Sequence, residues 1–168
     1  MSQLSLSLDS LLLVRDDQGR YLPATADQIL EAARYVIDQK IPGGTLFTSP
    51  ALVKDYLRTK LANFEHEVFA VLFLDSQNRL IEYVEMFRGT IDQASVYPRE
   101  VVKTALHHNA AAVIFSHNHP SGNSEPSQAD KLLTQRLKET LALVDVRTLD
   151  HIVVGGEATT SFAERGLL

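Results

Sequence analysis

The chain has 168 residues, with 16 Lys plus Arg against 21 Asp plus Glu and a formal net charge of −5. That is one domain by size with room for a short extra segment; the acidic balance argues against a protein that holds DNA by bulk electrostatics. Cysteine is absent, which excludes disulfides, thiolate metal sites and Cys nucleophiles.

No apolar run approaches the roughly 18 residues of a transmembrane helix. The N-terminus MSQLSLSLDSLLLV has no Lys or Arg before Arg15 and carries Asp9, so it makes a poor signal peptide and the expected compartment is the cytoplasm. Leu4, Leu6 and Leu8 alternate with Ser as a short strand would; such a strand is suited to adding to a neighbour's sheet edge. Leu11–Arg15 and Arg20–Leu22 flank DDQG, a hairpin signal. Thr25 with Gln28 forms a capping-box pattern ahead of Ile29, Leu30, Ala33, Val36 and Ile37 at helical spacing, and IPGG at 41–44 ends that helix. Ser49 followed by Pro50 opens a second helix, with Leu52, Val53, Tyr56, Leu57 and Leu61 as its apolar face.

From residue 66 the texture changes. EVFAVLFLD (67–75) and RLIEYVEMF (79–87) are strand-like runs joined by SQN, a predicted β-hairpin. Pro98 opens a helix to about Asn109, with Val101, Val102, Ala105 and Leu106 inward. AAVIFSHNH (111–119) reads as a buried strand. A turn-rich loop follows, then a helix from Ser127 to about Leu143 with Leu132, Leu133, Leu137 and Leu141 on one face. Val146–Val154 is a last strand, ended by Gly155 and Gly156. The order β-β-α-β-α-β predicts an α/β sandwich with a mixed sheet flanked by helices. Residues 1–62 are read as an N-terminal extension of a hairpin plus two helices, and 63–168 as the main domain.

The chemistry-bearing segment is SHNHPSGNSEPSQAD, residues 116–130. His117 and His119 are two apart on a strand, so both imidazoles face the same way, with Cα atoms about 6.5–7 Å apart. Asp130 lies in the first turn of the next helix, and the loop 120–126 can fold it back toward the histidines. Two nitrogens and one carboxylate oxygen, with a fourth position open, make a catalytic rather than a structural zinc pattern. With 6 His in the chain, an H-x-H arises by chance about 0.2 times. Ser127-x-x-Asp130 also fits a helix capping box, a purely structural device. His66 beside Glu67 does not form H-E-x-x-H, because Phe69 and Ala70 follow, so the thermolysin-type reading is rejected.

H-x-H-x7-S-x2-D resembles the signature of the JAMM (MPN+) metalloproteases. HNHPSG, PSQAD, the upstream GTIDQASVYPREVVKTAL and the downstream LDHIVVG resemble the RadC family over about residues 60–160. The resemblance is to its short forms, which lack the full N-terminal helix-hairpin-helix region. It implies the JAB/MPN fold, a three-layer architecture like that of cytidine deaminases, with zinc on His117, His119 and Asp130. It also implies a catalytic Glu at the position of Glu67, and a site serine at Ser127. Glu65, Glu82 and Glu85 compete with Glu67, and geometry has to choose among them. The implied reaction is zinc-dependent hydrolysis of a peptide or isopeptide bond in a protein or peptide substrate. Two other functions stand beside it: a DNA-repair-associated role, as the RadC family name suggests, and a non-catalytic metal-bound interaction module. The charge speaks against direct DNA contact, and no membrane partner is expected.

The remaining polar residues have plainer expected roles. His107 and His108 end a helix, where the dipole favours them. His151 is expected to be a core or supporting histidine, oriented by Asp150. Asn118, Pro120, Ser121 and Gly122 are read as a tight turn shaping the site, and Arg99 as paired with a local carboxylate.

Overall fold

The computed structural model describes residues 12–40, 44, 46–47, 49–62, 64–89 and 95–168. The predicted strand at Leu4–Leu8, the first residue of the first hairpin, the Ile37 side chain and the helix stop at 41–43 lie outside the described residues. The chain divides into two compact units, Met1–Lys40 and Ile41–Leu168.

In the smaller unit β1 (Leu13–Arg15) pairs antiparallel with β2 (Tyr21–Pro23). The turn between them is closed by Asp16, whose Oδ1 accepts from the backbone N–H groups of Gln18 at 3.0 Å and Arg20 at 2.9 Å. Helix α1 (Ala26–Lys40) follows. Its capping box is made: Thr25 Oγ1 accepts from Gln28 N at 3.3 Å, and Gln28 Oε1 accepts from Thr25 N at 3.0 Å.

The larger unit runs α2 (Pro50–Leu61), β3 (Val68–Leu74), β4 (Leu80–Arg88), α3 (Pro98–His107), β5 (Ala112–Asn118), α4 (Gln128–Ala142), β6 (Arg147–Gly155) and β7 (Ala158–Ser161). The five strands form one mixed sheet in the order β4-β3-β5-β6-β7. Only the β5–β6 pair is parallel. The sequence reading ended the extension at residue 62, after the second helix. In the structure α2 lies in the larger unit, against β5 and β6, with Val53, Tyr56, Leu57 and Leu61 buried.

β3 and β5 are buried along their whole length, as central strands covered on both faces must be. Side chains alternate, so the two faces separate by parity. Phe69, Val71, Phe73, Val113 and Phe115 join Val101 and Ala105 of α3 and Leu137 and Leu141 of α4 in one core. On the opposite face Leu74, Ile114 and Ile152 share a small cavity with Val53 of α2. The main unit is therefore three layers, with α3 and α4 on one side of the sheet and α2 on the other.

Three leucines expected on inward helix faces are exposed: Leu52, Leu106 and Leu132. One geometric reason covers all three. Each lies five residues from a fully buried neighbour (Leu57, Val101 and Leu137), and five residues turn about 140° around a helix. The strand β7 was not predicted. Gly155 pairs with Ala158, so Gly156 and Glu157 form a two-residue hairpin loop. Gly156 has φ +57°, a conformation such loops need.

Leu141→Ala is expected to lower unfolding stability by about 2–5 kcal/mol, because it empties a closed position. Leu132→Ala, on the same helix, should stay within about 0.5 kcal/mol of the parent. Urea denaturation of the two variants checks the assigned helix face.

Candidate metal centre

His117 is the next-to-last residue of β5, paired with Phe69 of β3 and Val153 of β6. His119 lies just beyond the strand, yet its backbone N–H still donates to Val154 O at 2.8 Å. The extended path therefore continues through both histidines, and their side chains project to the same side. The loop that follows folds down on the end of β6. A Cβ at Gly155 would lie 2.4 Å from Ser124 N and 2.6 Å from Asn123 C, so only glycine admits the loop backbone this close. Ser124 Oγ also accepts from Thr160 Oγ1 of β7 at 3.1 Å.

The loop delivers the start of α4 to the histidines. Ser127 is the N-cap: its Oγ accepts from Asp130 N at 3.1 Å, while Asp130 Oδ2 accepts from Ser127 N at 2.7 Å. This is the full capping box. The same carboxylate faces the imidazoles, with Oδ1 3.4 Å from His117 Nε2 and Oδ2 3.6 Å from His119 Nε2. The two expected roles of Asp130, cap and member of the His-His-Asp cluster, coexist in one side chain.

His117 Nε2 and His119 Nε2 lie 2.9 Å apart. One ligand atom from each of His117, His119 and Asp130 fits within a 4.8 Å span. His119 Nδ1 donates to Asn123 O at 2.7 Å; a carbonyl only accepts, so Nδ1 carries the hydrogen and Nε2 of the neutral ring offers a lone pair. Lone pairs and a carboxylate drawn this close call for a cation among them. The donor set thus fits a metal ion with mixed nitrogen and oxygen preference.

The electrostatics agree. The Asp130 hydrogen bond raises the pKa of His119 above the usual imidazole value, against the opposing effect of burial. Asp130 is held well below the carboxylate range: burial alone would raise it, but the adjoining His117 and His119 imidazoles outweigh that. Burial holds His151 well below the usual imidazole value, and the nearby His117 adds to this.

The site opens to an open cleft of about 790 Å³, whose wall includes Glu67, Tyr97, His119, Ser127, Asp130 and Arg136. Of the four glutamates considered, Glu67 alone lines it, and its charge reaches His119. Glu85 is instead engaged with Arg88 at 3.2 Å. Asn118 is not part of the turn but the buried last residue of β5. Its Oδ1 accepts from Val68 N at 2.8 Å, and its Nδ2 donates to His66 O at 3.0 Å and Phe64 O at 3.3 Å. Together with the Gly89 N–H, which donates to Glu67 O at 2.8 Å, this clamps the backbone on both sides of Glu67.

Asp150 does not orient the His151 ring. Its carboxylate accepts from the backbone of His151 at 2.7 Å and of Ala163 at 2.9 Å, and from Ser161 Oγ at 2.6 Å. The ring partner is Thr134, whose Oγ1 lies 2.6 Å from His151 Nδ1. Sequence reasoning passed over Thr134; the available signal was a hydroxyl in the middle of an inward helical stripe. Arg99 pairs with Glu100 at 3.5 Å. His108 caps α3 and stacks on Phe73.

A family profile described as the RadC-like JAB domain matches residues 47–167. The chain belongs to the RadC-like JAB domain family. Relatives carrying the name UPF0758 protein extend this match. One from Vibrio cholerae serotype O1 is 61% identical over 141 residues, covering 84% of this chain and 89% of its own length. One from Cellvibrio japonicus is 64% identical over 140 residues, covering 83% of this chain and 62% of its own length. One from Nitrosomonas eutropha is 56% identical over 145 residues, covering 86% and 65%. The chain thus spans most of the first relative and just under two thirds of the other two. The match begins at residue 47, so it takes in α2 as part of the JAB domain. No helix among the described residues is long and apolar enough to cross a membrane.

Asn118→Ala leaves the Val68 N–H and two carbonyls without their side-chain partner. It should cost about 1–3 kcal/mol in urea denaturation. Hydrogen exchange should show faster exchange at the Val68 amide than in the parent.

Proposed function

We propose that this chain is a zinc-dependent hydrolase of the JAMM type, acting on peptide or isopeptide bonds of a protein or peptide substrate in the cytoplasm. The observation that carries the reading is the convergence of His117, His119 and Asp130 beside an open cleft, which His119, Asp130 and Glu67 line. His117 Nε2, His119 Nε2 and the Asp130 carboxylate would hold the ion. Zinc supplies a Lewis acid that makes water acidic enough to attack near neutral pH. Glu67 takes the proton from the attacking water and returns it to the leaving nitrogen, so that water and amide become carboxylic acid and amine. The Ser127 hydroxyl now donates to Asp130 Oδ2 at 2.7 Å, and Ser127 N donates to the same oxygen. The hydroxyl can therefore turn toward the oxyanion of the substrate while the backbone keeps the cap.

Plasma mass spectrometry of the untagged protein is expected to find about one zinc per chain. His119→Ala and Asp130→Asn should lose it, the latter keeping an oxygen for the helix cap. Glu67→Gln should keep the zinc and lose peptide hydrolysis by at least about a hundredfold. No uptake of zinc at neutral pH would overturn the hydrolase reading. Steeply salt-dependent DNA binding would instead favour the DNA-associated one.

Metal binding must displace the proton that the Asp130 contact favours on His119. Zinc affinity should therefore fall as pH drops through the raised pKa of His119, with proton release on binding. Calorimetry in buffers of different ionisation enthalpy reads that release directly.

A further inference from the structure

We infer that Thr134 and His151 are positioning residues that hold His117 in a single tautomer, with its hydrogen on Nδ1 and its Nε2 lone pair turned to the metal. The inference rests on the metal reading proposed above and concerns how the chain prepares that ligand.

The argument follows one line of hydrogen bonds through the core. Thr134 Oγ1 donates to the backbone oxygen of Asp130 at 2.6 Å. A carbonyl can only accept, so the single hydroxyl hydrogen is spent there. Thr134 Oγ1 also lies 2.6 Å from His151 Nδ1, and in that contact it must accept. His151 therefore carries its hydrogen on Nδ1, which leaves Nε2 with a lone pair. That Nε2 lies 2.8 Å from His117 Nδ1, so His117 is the donor of the last bond. With its hydrogen on Nδ1, neutral His117 has only a lone pair at Nε2, the atom facing His119 and Asp130.

The surroundings leave the line no alternative. Thr134, His151 and His117 are each at most 1% exposed. The His151 ring is boxed by Phe69, Phe115 and Phe162, with ring centroids 5.7, 5.8 and 4.7 Å away. The nearest carboxylate in sequence, Asp150, is engaged by two backbone N–H groups and Ser161. A second hydrogen on His151 would have neither water nor an anion to meet it. The line starts on the backbone of Asp130 itself, so the helix that brings the carboxylate also sets the imidazole. An outer partner that fixes tautomer and ring angle commonly changes metal affinity by about 10–100-fold when removed.

Long-range proton–nitrogen correlation spectra of the metal-free, nitrogen-15-labelled parent read the tautomers without any substitution. The expected result is hydrogen on Nδ1 for both His117 and His151; hydrogen on Nε2 of neutral His117 overturns the inference. Zinc affinity by competition with a chelator provides the second arm. Thr134→Val, nearly the same shape but unable to accept, should weaken zinc binding by about 10–100-fold. Thr134→Ser should restore it to within about threefold, since the hydroxyl is returned. Parent-like affinity in Thr134→Val overturns the positioning role. A parent that takes up no zinc overturns the hydrolase reading instead, and the nitrogen spectrum of the same sample still decides the tautomer.

Discussion

The parallel pairing of β5 with β6 constrains the rest of the domain. Two parallel neighbours cannot be joined by a tight turn; the chain must cross back over the sheet, here through α4. The crossover helix has to start near the end of β5, which puts its first turn beside the last residues of that strand. His117 and His119 occupy that strand end and Asp130 that first turn. Sequence neighbours thirteen residues apart become spatial neighbours because of strand direction, and ligands in such sheets gather at the carboxyl ends of strands for the same reason.

The second consequence of the pairing is a polar seam in an otherwise apolar core. Phe115 lies opposite His151, and His117 two residues further on reaches it from the neighbouring strand. Buried imidazoles are costly unless their hydrogen bonds are complete. Here both ring nitrogens of His151 and Nδ1 of His117 have hydrogen-bond partners, His117 Nε2 is left facing His119 and Asp130, and the seam closes on the Asp130 carbonyl. Polar networks of this kind are favourable only when whole, which binds the start of α4, β5 and β6 into one unit. The Asp130 carboxylate caps a helix and faces two imidazoles at once, so helix start and site geometry are one structural fact.

Much of this was legible in the sequence because it is local. The strand-length apolar runs within 67–75 and 111–119, the Ser-Pro helix start and the spacing of His117, His119, Ser127 and Asp130 each depend on neighbours a few residues away. The α/β class with a mixed sheet followed from the order of those elements. The long-range pairings were not legible. That His151 meets Thr134 rather than Asp150 depends on the register of β6 against β5 and on the rotation of α4. The hairpin into β7 was hidden because Gly155 and Gly156 read as a stop, whereas one glycine turns the chain and the other makes room. The second helix looked like part of an extension because nothing in its own residues says which sheet its stripe will cover.

Gly155 carries no functional group, yet its bareness lets residues 122–124 settle on the strand and lets Asn123 present its carbonyl to His119. Across evolution such a position works as a diagnostic. A descendant that kept every chemical residue but acquired a side chain at 155 would have to carry this loop on a different path. Its second histidine would lose the buttress that aims it, so a change at this silent site would mark divergence of the cluster before His117, His119 or Asp130 had mutated.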